Sequence, residues 1–402
     1  ALRVTSQLDE KVTLAQAQID AVATPTKISV VFGMYKEDAR LAPKSETNPN
    51  GEDALRVKVR QLQEAVKNNP LVSWEIIAVD DGTPGLTSAE LVETLWSQIQ
   101  AEYAGAGVIL DPSMVRVIRI TSDEKRALNS KKGAAVIKGM RYAISQSEEH
   151  TAADIVIFTD ADISTDLRQI GLLVGPIAQG QQGAVLGSRW IKGAKPENMS
   201  FKAILSSLVY NRLVRIILPI GAIHDTQRGF KAFSRKTLET ILPFAKDPGF
   251  SFDTELILLC RIAGIPLAEV PIVWISSEAE STISLRRDVL PMIKGVIKQR
   301  EHLRATKRLL KAGITLNQQK EGPVLSVVIP AYNERDTIAE LIRKVADVNI
   351  EKEIIVVDDG SSDGTREILT KLADELDLVL VFARKNSGKG GAVRQGIMRA
   401  RG

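Results

Sequence analysis

Two aspartates separated by one residue, Asp160 and Asp162, directly follow the apolar run 155–159. Side chains at positions i and i+2 of an extended chain point to the same side. Carboxylates at the carboxyl end of a strand face the crevice in which open α/β sheets bind ligands. Two hard oxygen ligands without nitrogen or sulfur partners favour Mg²⁺ or Mn²⁺, usually bridged to substrate phosphates. The spacing therefore predicts a divalent-metal site, against the simpler alternative of a solvated aspartate pair that opens a turn.

A second acidic motif, Asp-Asp-Gly, also ends an apolar run, and it occurs twice. One copy contributes Asp80 and Asp81, and the other contributes Asp358 and Asp359. A lone Asp-Asp-Gly is usually just a turn. Its recurrence after nearly the same strand sequence favours carboxylates that accept hydrogen bonds from the base or the ribose of a nucleotide.

A Lys-Gly pair is duplicated as well, as Lys132-Gly133 and Lys389-Gly390. Neither pair fits the spacing of a P-loop, so no P-loop is expected. A lysine beside a diphosphate supplies a mobile point charge, which leaves phosphate binding open for both lysines.

These pairs belong to an internal repeat of three sequence blocks that occur in the same order, which chance explains poorly. The blocks are 28–37 with 325–334, 75–83 with 353–361, and 129–136 with 386–393. The counterpart of the Asp160 and Asp162 pair would fall beyond Gly402. The sequence therefore predicts two related domains. The second is expected to be an incomplete, catalytically inactive half without a metal pair, in a natural protein that continues.

The elements that must position these residues follow an α/β pattern from Ile28 onward. Apolar, β-branched runs alternate with helical stretches, which predicts a mostly parallel sheet with helices on both faces. The predicted strands are 28–32, 75–79, 115–120, 155–159 and 184–187. Residues 1–27 are expected to form a polar extension with a helix near 8–22, and 36–53 a long surface loop before a helix at 54–68.

The composition excludes several classes of protein. The 402 residues include one cysteine, Cys260, and three histidines, so neither a disulfide scaffold nor a cysteine or histidine metal site is expected. The net charge is +4, yet residues 285–311 alone hold nine Lys/Arg and two acidic residues. Basic charge confined to one segment does not form a nucleic-acid-binding face, so no nucleic acid is expected. The N-terminus has no signal pattern, which predicts a cytoplasmic protein.

An ordered set of motifs resembles family 2 glycosyltransferases of the GT-A fold. The set comprises Tyr35 with Glu37, Asp80-Asp81, Lys132-Gly133, Asp160 with Asp162, Gly187-Ser-Arg189 and the block 224–233. The last block, with 252–255 and 269–274, is most similar to polyprenyl-phosphate (dolichyl-phosphate) hexosyltransferases. The first copy departs from the family at Gly33, Met34 and Lys36, where the second copy has the commoner Pro330, Ala331 and Asn333.

The resemblance implies a metal-dependent enzyme that moves a hexose with inversion at the anomeric carbon. The implied donor is a nucleoside-diphosphate sugar such as UDP-glucose or GDP-mannose, the cofactor is Mg²⁺ or Mn²⁺, and the acceptor is a polyprenyl phosphate. Three alternatives remain open: a soluble or glycan acceptor, a non-catalytic nucleotide-sugar scaffold, and a nucleotidyltransferase that would release pyrophosphate.

Motif position also implies a role for each residue. The implied nucleotide contacts are Gly33, Tyr35, Glu37, Asp80, Asp81, Lys132, Gly133 and Asp160, and the implied metal contacts are Asp160, Asp162 and Ser164. Arg189 and Lys202 are implied to hold a phosphate or the acceptor, and Asp225, Arg228 and Asp253 to be catalytic. In the second copy the implied nucleotide contacts are Pro330, Tyr332, Glu334, Asp358, Asp359 and Lys389. Asp225 is either a general base, an orienting group for Arg228, or one half of an ion pair that braces a loop.

The motifs place the domains at 28–284 and 323–402, joined by a basic helical linker at 285–322. Residues 201–223 and 285–311 mix apolar with basic side chains, which favours peripheral contact with the cytoplasmic face of an anionic membrane. A solvated interdomain helix is the alternative for the basic stretch.

Overall fold

The computed structural model describes residues 2–83, 87–121, 125, 131–199, 201–221, 223–249, 251–275, 325–348, 352–376, 378–383 and 385–400. The chain divides into two compact units, 1–316 and 317–402. The basic linker expected at 285–322 lies outside the described residues. Among the described residues, no helix combines the length and the apolar character that a membrane crossing requires.

The first unit alternates strands and helices as the sequence predicts. Its strands are β1 (Thr26–Met34), β2 (Val72–Asp80), β3 (Val115–Arg119), β4 (Ile155–Thr159), β5 (Ala184–Ser188), β6 (Lys195–Glu197), β7 (Phe230–Ser234), β8 (Leu267–Pro271) and β9 (Val273–Ile275). Its helices are α1 (Leu2–Asp20), α2 (Asp38–Leu41), α3 (Ala54–Val66), α4 (Thr87–Gly105), α5 (Lys132–Ala143), α6 (Gly171–Ala178), α7 (Phe201–Ile217), α8 (Arg235–Ile241) and α9 (Phe252–Ile262).

Seven of the described strands form one sheet in the order β3-β2-β1-β4-β7-β5-β8. Strand β7 runs antiparallel to both of its neighbours, and the other pairs are parallel. Strands β6 and β9 form a separate parallel pair. Apolar side chains cover both faces of the sheet, around Phe32 and Trp74 on one face and around Phe158 and Phe252 on the other. The predicted α/β class, with a mostly parallel sheet between helical layers, is confirmed.

Helix α1 packs onto this domain, although the sequence places it in a polar extension. Ala15 and Ile19 are fully buried. Close approach of α1 to α6 requires small residues on α6, because a Cβ atom at Gly171 would lie 1.9 Å from the carbonyl oxygen of Ala15. Helix α1 also begins earlier than the expected residue 8, and strand β1 begins at Thr26.

The second unit repeats the start of the first. Its strands β10 (Leu325–Ala331), β11 (Lys352–Asp358) and β12 (Leu378–Phe382) form a parallel sheet in sequential order, as β1, β2 and β3 do. Its helices are α10 (Ile338–Ala346), α11 (Thr365–Glu375) and α12 (Lys389–Ile397). In each unit the last residue of the second strand is the buried first aspartate of Asp-Asp-Gly.

Candidate functional site

The two aspartates of the predicted metal pair lie where buried strand β4 ends. The Oδ1 atom of Asp162 accepts hydrogen bonds from the Ser164 amide at 3.1 Å and from the Ser164 hydroxyl at 2.6 Å. The described residues donate no hydrogen bond to the other Asp162 oxygen, Oδ2. Ser164 therefore fixes the orientation of the Asp162 carboxylate and leaves one oxygen available for a ligand.

Asp160 lies among basic side chains. Its carboxylate contacts the Lys132 ammonium at the start of α5, where the sequence predicts a phosphate-binding lysine. Burial alone would raise the pKa of Asp160, but Lys132 and Arg228 outweigh that effect and hold the pKa below its usual range. Asp160 is therefore ionised at neutral pH, as a metal ligand must be.

Lys58, on α3, was not expected at this site. Its side chain is buried, and its Nζ atom donates to the main-chain carbonyls of Asp160 at 3.1 Å and Asp162 at 2.5 Å. Nearby, the Glu52 carboxylate accepts a hydrogen bond from the Ile163 amide at 3.2 Å. Two side chains that precede the metal pair by about one hundred residues thus hold its main chain.

Acidic charge accumulates beside Asp162. Burial raises the pKa of Glu37 and of Glu52, and Asp162 raises both further. In the described part of the chain, no three acidic or histidine side chains are arranged to enclose a metal ion. Asp160 and Asp162 nevertheless fit Mg²⁺ or Mn²⁺, since both supply carboxylate oxygens and one Asp162 oxygen accepts no hydrogen bond from the described residues. Such ions are commonly held by one or two carboxylates with substrate phosphates.

The expected nucleotide contacts lie at the carboxyl ends of β1 and β2. Tyr35 is half-exposed, and the Lys125 ammonium lies 3.6 Å from its ring centroid. The same ammonium contacts the main-chain carbonyl of Asp81 and lies 3.4 Å from its carboxylate. Tyr35 and Asp81 thus contact the same cation, Lys125, which the sequence motifs did not indicate.

Three other predicted nucleotide residues have structural duties in the first unit. The buried carboxylate of Asp80 accepts hydrogen bonds from the amides of Thr83 and Ala89, so it holds the turn after β2. Gly33 packs against α5, where a Cβ atom would lie 3.4 Å from Ala135. At Gly133 a Cβ atom would lie 2.5 Å from the carbonyl oxygen of Gly249, so this glycine admits the loop before α9.

Arg189 and Asp225, predicted as a phosphate group and a catalytic group, bind each other. The Asp225 carboxylate accepts from the Arg189 amide at 3.1 Å, from Nε at 2.7 Å and from an Nη atom at 3.0 Å. Both side chains are buried. Burial alone would raise the pKa of Asp225, but Arg189 outweighs it and lowers that pKa. This geometry fits a brace between two loops better than a general base.

Glu269 on β8 supports that brace. Its carboxylate accepts from the amides of His224 and Asp225, both at 2.9 Å, and from the His224 ring at 2.9 Å. The loop that carries Asp225 is therefore fixed from the edge of the sheet.

Arg228 differs from Arg189 because none of the described residues binds it as a counter-ion. Its guanidinium lies 4.4 Å from the ring centroid of Trp274, and its Nε atom is buried without a hydrogen bond. No hydrogen bond or ion pair reaches this guanidinium from the residues that the structure describes. Burial lowers the pKa of Arg228, the neighbouring Arg189 lowers it further, and Asp160 and Asp225 act in the opposite sense.

Asp253, the third predicted catalytic residue, is paired as well. It lies in the first turn of α9 and accepts a hydrogen bond at 2.5 Å from Lys231, which is fully buried on β7. The Lys231 ammonium also contacts the Arg228 carbonyl. Burial raises the pKa of Asp253, although Lys231 and Lys132 oppose the rise.

Helix α7 begins shortly after the site and carries exposed apolar side chains. Leu205, Leu208, Val209 and Ile216 are 51%, 44%, 59% and 73% exposed. On its other side Asn211 is buried and accepts hydrogen bonds from Thr226 in the Asp225 loop. The side chain of Lys202, predicted to bind the acceptor, lies outside the described residues.

The second unit reproduces the backbone of the segments that are predicted to bind the nucleotide. The Asp81 amide donates to the Met34 carbonyl at 2.8 Å, and the Asp359 amide donates to the Ala331 carbonyl at 2.9 Å. Positive φ angles occur at the equivalent residues Lys36 (58°) and Asn333 (53°), which Asn tolerates better. Of the other predicted contacts, Tyr332 is half-exposed, Asp358 is buried, and Pro330 is the last residue but one of β10. The Glu334 amide donates to the Thr365 hydroxyl, and Lys389 begins α12.

Comparison with known proteins gives one family for both units. Residues 57–242 and 326–402 match the family described as Glycosyl transferase family 2. Over 272 residues the chain is 26% identical to "Glycosyltransferase AglD" of Haloferax volcanii, covering 68% of this chain and 36% of that protein. It is 25% identical to the "Dolichyl-phosphate beta-glucosyltransferase" of Saccharomyces cerevisiae, covering 56% of this chain and 63% of that one.

Two further proteins are similar over half of this chain or more. The "Polyprenol monophosphomannose synthase" of Mycolicibacterium smegmatis is 28% identical, over 50% of this chain and 67% of that protein. Glucosyl-3-phosphoglycerate synthase from Mycobacterium tuberculosis, solved with Mn²⁺, UDP and phosphoglyceric acid, is 19% identical with a TM-score of 0.44, covering 78% of this chain and 85% of that one. The chain thus spans about a third of AglD and about two thirds of the other two curated relatives.

Proposed function

This chain belongs to glycosyl transferase family 2 and is a glycosyltransferase, and from that premise we propose which reaction its first unit performs. The reaction is the transfer of a hexose, with inversion at the anomeric carbon, from a nucleoside-diphosphate sugar of the UDP-glucose or GDP-mannose type to a polyprenyl phosphate. The predicted nucleotide pocket at Tyr35 and Asp81 and the metal pair at Asp160 and Asp162 would hold the donor.

The observation that carries this proposal is the unpaired guanidinium of Arg228. The Arg228 side chain is partly buried, with its Nε atom out of reach of water. A charge that is withdrawn from water without a partner is costly, so such groups usually have a counter-ion. Among the described residues none binds Arg228, while Arg189 beside it is fully paired. An arginine matches phosphate oxygens in a planar, bidentate way. Arg228 therefore fits a phosphate that arrives with a substrate.

A phosphate acceptor also fits the paired state of the nearby carboxylates. A hydroxyl acceptor needs a general base within hydrogen-bond reach. Asp225 is bound by Arg189 and Asp253 by Lys231, so neither is free to take a proton without breaking a buried pair. A phosphate oxygen is already anionic at neutral pH and mainly needs to be positioned. The pairing thus supports a phosphate acceptor over an alcohol.

A bound divalent cation would be held by Asp160 and Asp162, and it would neutralise the developing charge on the departing nucleoside diphosphate. The chain's own contribution is to keep Asp160 ionised through Lys132 and to orient Asp162 through Ser164. Arg228 and Lys132 add fixed positive charge on the same side of the sheet, where the leaving group accumulates negative charge.

The lipid nature of the acceptor is supported by α7. Exposed Leu205, Val209 and Ile216 follow one another along this helix, with exposed Arg212 among them. Apolar side chains with basic neighbours suit the surface of an anionic bilayer. The helix bonds the Asp225 loop through Asn211, so a membrane under α7 would lie beside the acceptor end of the site.

The test is transfer of radiolabelled sugar from UDP-glucose and from GDP-mannose in the presence of polyprenyl phosphate, Mn²⁺ and detergent. We expect label in the organic phase, and none with Asp162→Asn. Label that appears only in water-soluble product would favour the soluble-acceptor alternative. Donor binding without any transfer, unaffected by Asp162→Asn, would favour a non-catalytic scaffold.

A further inference from the structure

Lys58 is one of the largest fully buried side chains of the protein, with 1% of its surface exposed. It lies in the middle of α3, between Val57 and Val59, where the other inward-facing side chains of the helix are apolar. A leucine at this position would keep the apolar face continuous. Burial of an ammonium group requires compensating hydrogen bonds or charges.

The compensation comes from the turn that carries the metal pair. The Nζ atom of Lys58 donates to the main-chain oxygens of Asp160 and Asp162, at 3.1 and 2.5 Å. Lys58 therefore holds the peptide groups 160–161 and 162–163, which follow the two aspartates directly. The Phe32 ring, 5.7 Å from the ammonium, covers it from the sheet.

Fixing these two carbonyls has a consequence for the side chains. The carbonyl and the Cβ atom of a residue are attached to one Cα atom, so holding the peptide planes restricts where the carboxylates of Asp160 and Asp162 can point. Groups that orient ligands from behind commonly affect metal affinity 10- to 100-fold. Glu52 holds the same turn through the Ile163 amide, at 3.2 Å.

We infer that Lys58 is a positioning residue for the metal pair. It holds the main chain of the turn so that the carboxylates of Asp160 and Asp162 face one cation, and it touches neither substrate nor metal. This inference rests on the proposed function, because it assumes that the pair binds a divalent ion.

A purely electrostatic role of Lys58 makes the opposite prediction. The ammonium is a positive charge close to a cation site, so its removal alone would strengthen metal binding. Loss of a positioning contact would weaken it. The sign of the change in Mn²⁺ affinity therefore separates the two roles.

The experiment compares Lys58→Met, which keeps the length of the side chain but removes charge and donors, with Lys58→Gln, which keeps a donor. Lys67→Met is the matched control, since Lys67 is exposed at the end of the same helix. Each protein is titrated with Mn²⁺ in the presence of UDP or GDP, whichever raises the melting temperature of the wild type with Mn²⁺. Free Mn²⁺ is measured at each step by electron paramagnetic resonance. Unliganded melting curves identify variants that are folded.

We expect the Mn²⁺ dissociation constant to rise about 10-fold or more in Lys58→Met, to rise less in Lys58→Gln, and to stay at the wild-type value in Lys67→Met. Unchanged or tighter Mn²⁺ binding by folded Lys58→Met overturns the inference. If that variant does not fold, the same comparison is made with Lys58→Gln, and wild-type affinity there overturns it. A wild-type protein that binds no Mn²⁺ contradicts the proposed function itself.

Discussion

Arg189 and Arg228 are neighbours that both lie near Trp274, yet their partners differ. Asp225 neutralises Arg189 through both of its carboxylate oxygens. Arg228 has no such partner among the described residues, and its pKa is lowered by burial and, further, by repulsion from Arg189. One arginine therefore contributes to the stability of the fold, and the other is available for an anionic ligand at some expense in stability.

Replacing these two arginines separately should give opposite results. Arg228→Met is expected to reduce kcat/KM at least 100-fold, because a charge that stabilises the transition state is lost, while the free energy of unfolding stays the same or rises by roughly 1 kcal/mol. Arg189→Met should destabilise the protein by about 3 kcal/mol, because it leaves Asp225 buried without its partner. Urea unfolding and initial rates measure both effects. Equal destabilisation by the two substitutions would contradict this division of roles.

Glu255 on α9 gives a prediction for pH. Its carboxylate accepts hydrogen bonds from the amides of Lys246 and Asp247, in the loop that packs on Gly133. Burial raises the pKa of Glu255 to about 7, although those hydrogen bonds lower it. The folded protein therefore binds a proton at Glu255 more tightly than the unfolded chain does. The stability that this protonation contributes is lost as pH rises through about 7.

The substitution Glu255→Gln removes that proton equilibrium. We expect wild type to lose stability relative to Glu255→Gln between pH 5 and pH 8, by up to about 3 kcal/mol. Urea unfolding of both proteins at the two pH values gives the difference. If the difference in the free energy of unfolding between the two proteins did not change with pH, Glu255 would not titrate in this range.

The site was predictable where one stretch of sequence carries both the strand and the functional group. Asp160 and Asp162 follow an apolar run, and the structure places them at the end of β4 as predicted. Lys58 gave no comparable signal, since a lysine in an amphipathic helix normally faces solvent. Lys231 did give a signal in the sequence, because it is a lysine between the apolar residues Phe230 and Ala232 of β7.

At the scale of elements, the sequence predicted β1 to β5 to within about three residues, but it gave no prediction for β6 to β9 and misjudged α1. Its polar composition indicated an extension, while the structure buries Ala15, Ile19 and Val22 against the domain. Their spacing of three to four residues was the available signal. The partner surface, formed by Gly171 and Gly175 on α6, lies more than 150 residues away in sequence, so no local pattern could identify it.

This packing predicts that α6 tolerates no side chain at the crossing. Gly171→Ala should lower the free energy of unfolding by about 1–3 kcal/mol, because its Cβ atom would overlap the Ala15 carbonyl. Gly105→Ala is the control, since a Cβ atom there meets no atom within 4 Å. That control should be neutral or slightly stabilising. Equal stability of the two variants in urea unfolding would mean that α1 does not pack on Gly171.

The exposed face of α7 predicts a contact with lipid. The double variant Leu205→Glu/Val209→Glu should bind vesicles containing phosphatidylglycerol at least 10-fold more weakly than wild type, because it places acidic groups at an anionic surface. Leu14→Glu, at a residue of α1 that is 48% exposed, is the matched control and should bind as wild type does. Vesicle sedimentation measures the binding. Undiminished binding of the double variant would exclude α7 as the membrane contact.

At the scale of the whole molecule, the repeat predicted from three sequence blocks is confirmed in topology. Both units place their first three strands in sequential parallel order. Both turn the chain after the second strand through a glycine with positive φ, at Gly82 (69°) and Gly360 (85°). The duplicated sequence motifs therefore specify the same local backbone twice. The metal pair belongs only to the first unit among the described residues, since the second has no counterpart of β4.

Duplication of the predicted nucleotide pocket, with a metal pair in the first unit alone among the described residues, predicts two kinds of nucleotide binding by this 402-residue chain. Calorimetric titration with the donor's nucleoside diphosphate should reveal one event that requires Mn²⁺ and is lost in Asp162→Asn, and a weaker one that does not. Asp359→Ala should remove only the second, because Asp359 orders the Ser387 segment through its amide and hydroxyl. Asp81→Ala, the equivalent change in the first unit, should remove only the Mn²⁺-dependent event. A wild-type titration with a single binding event would leave the second unit without a nucleotide-binding role.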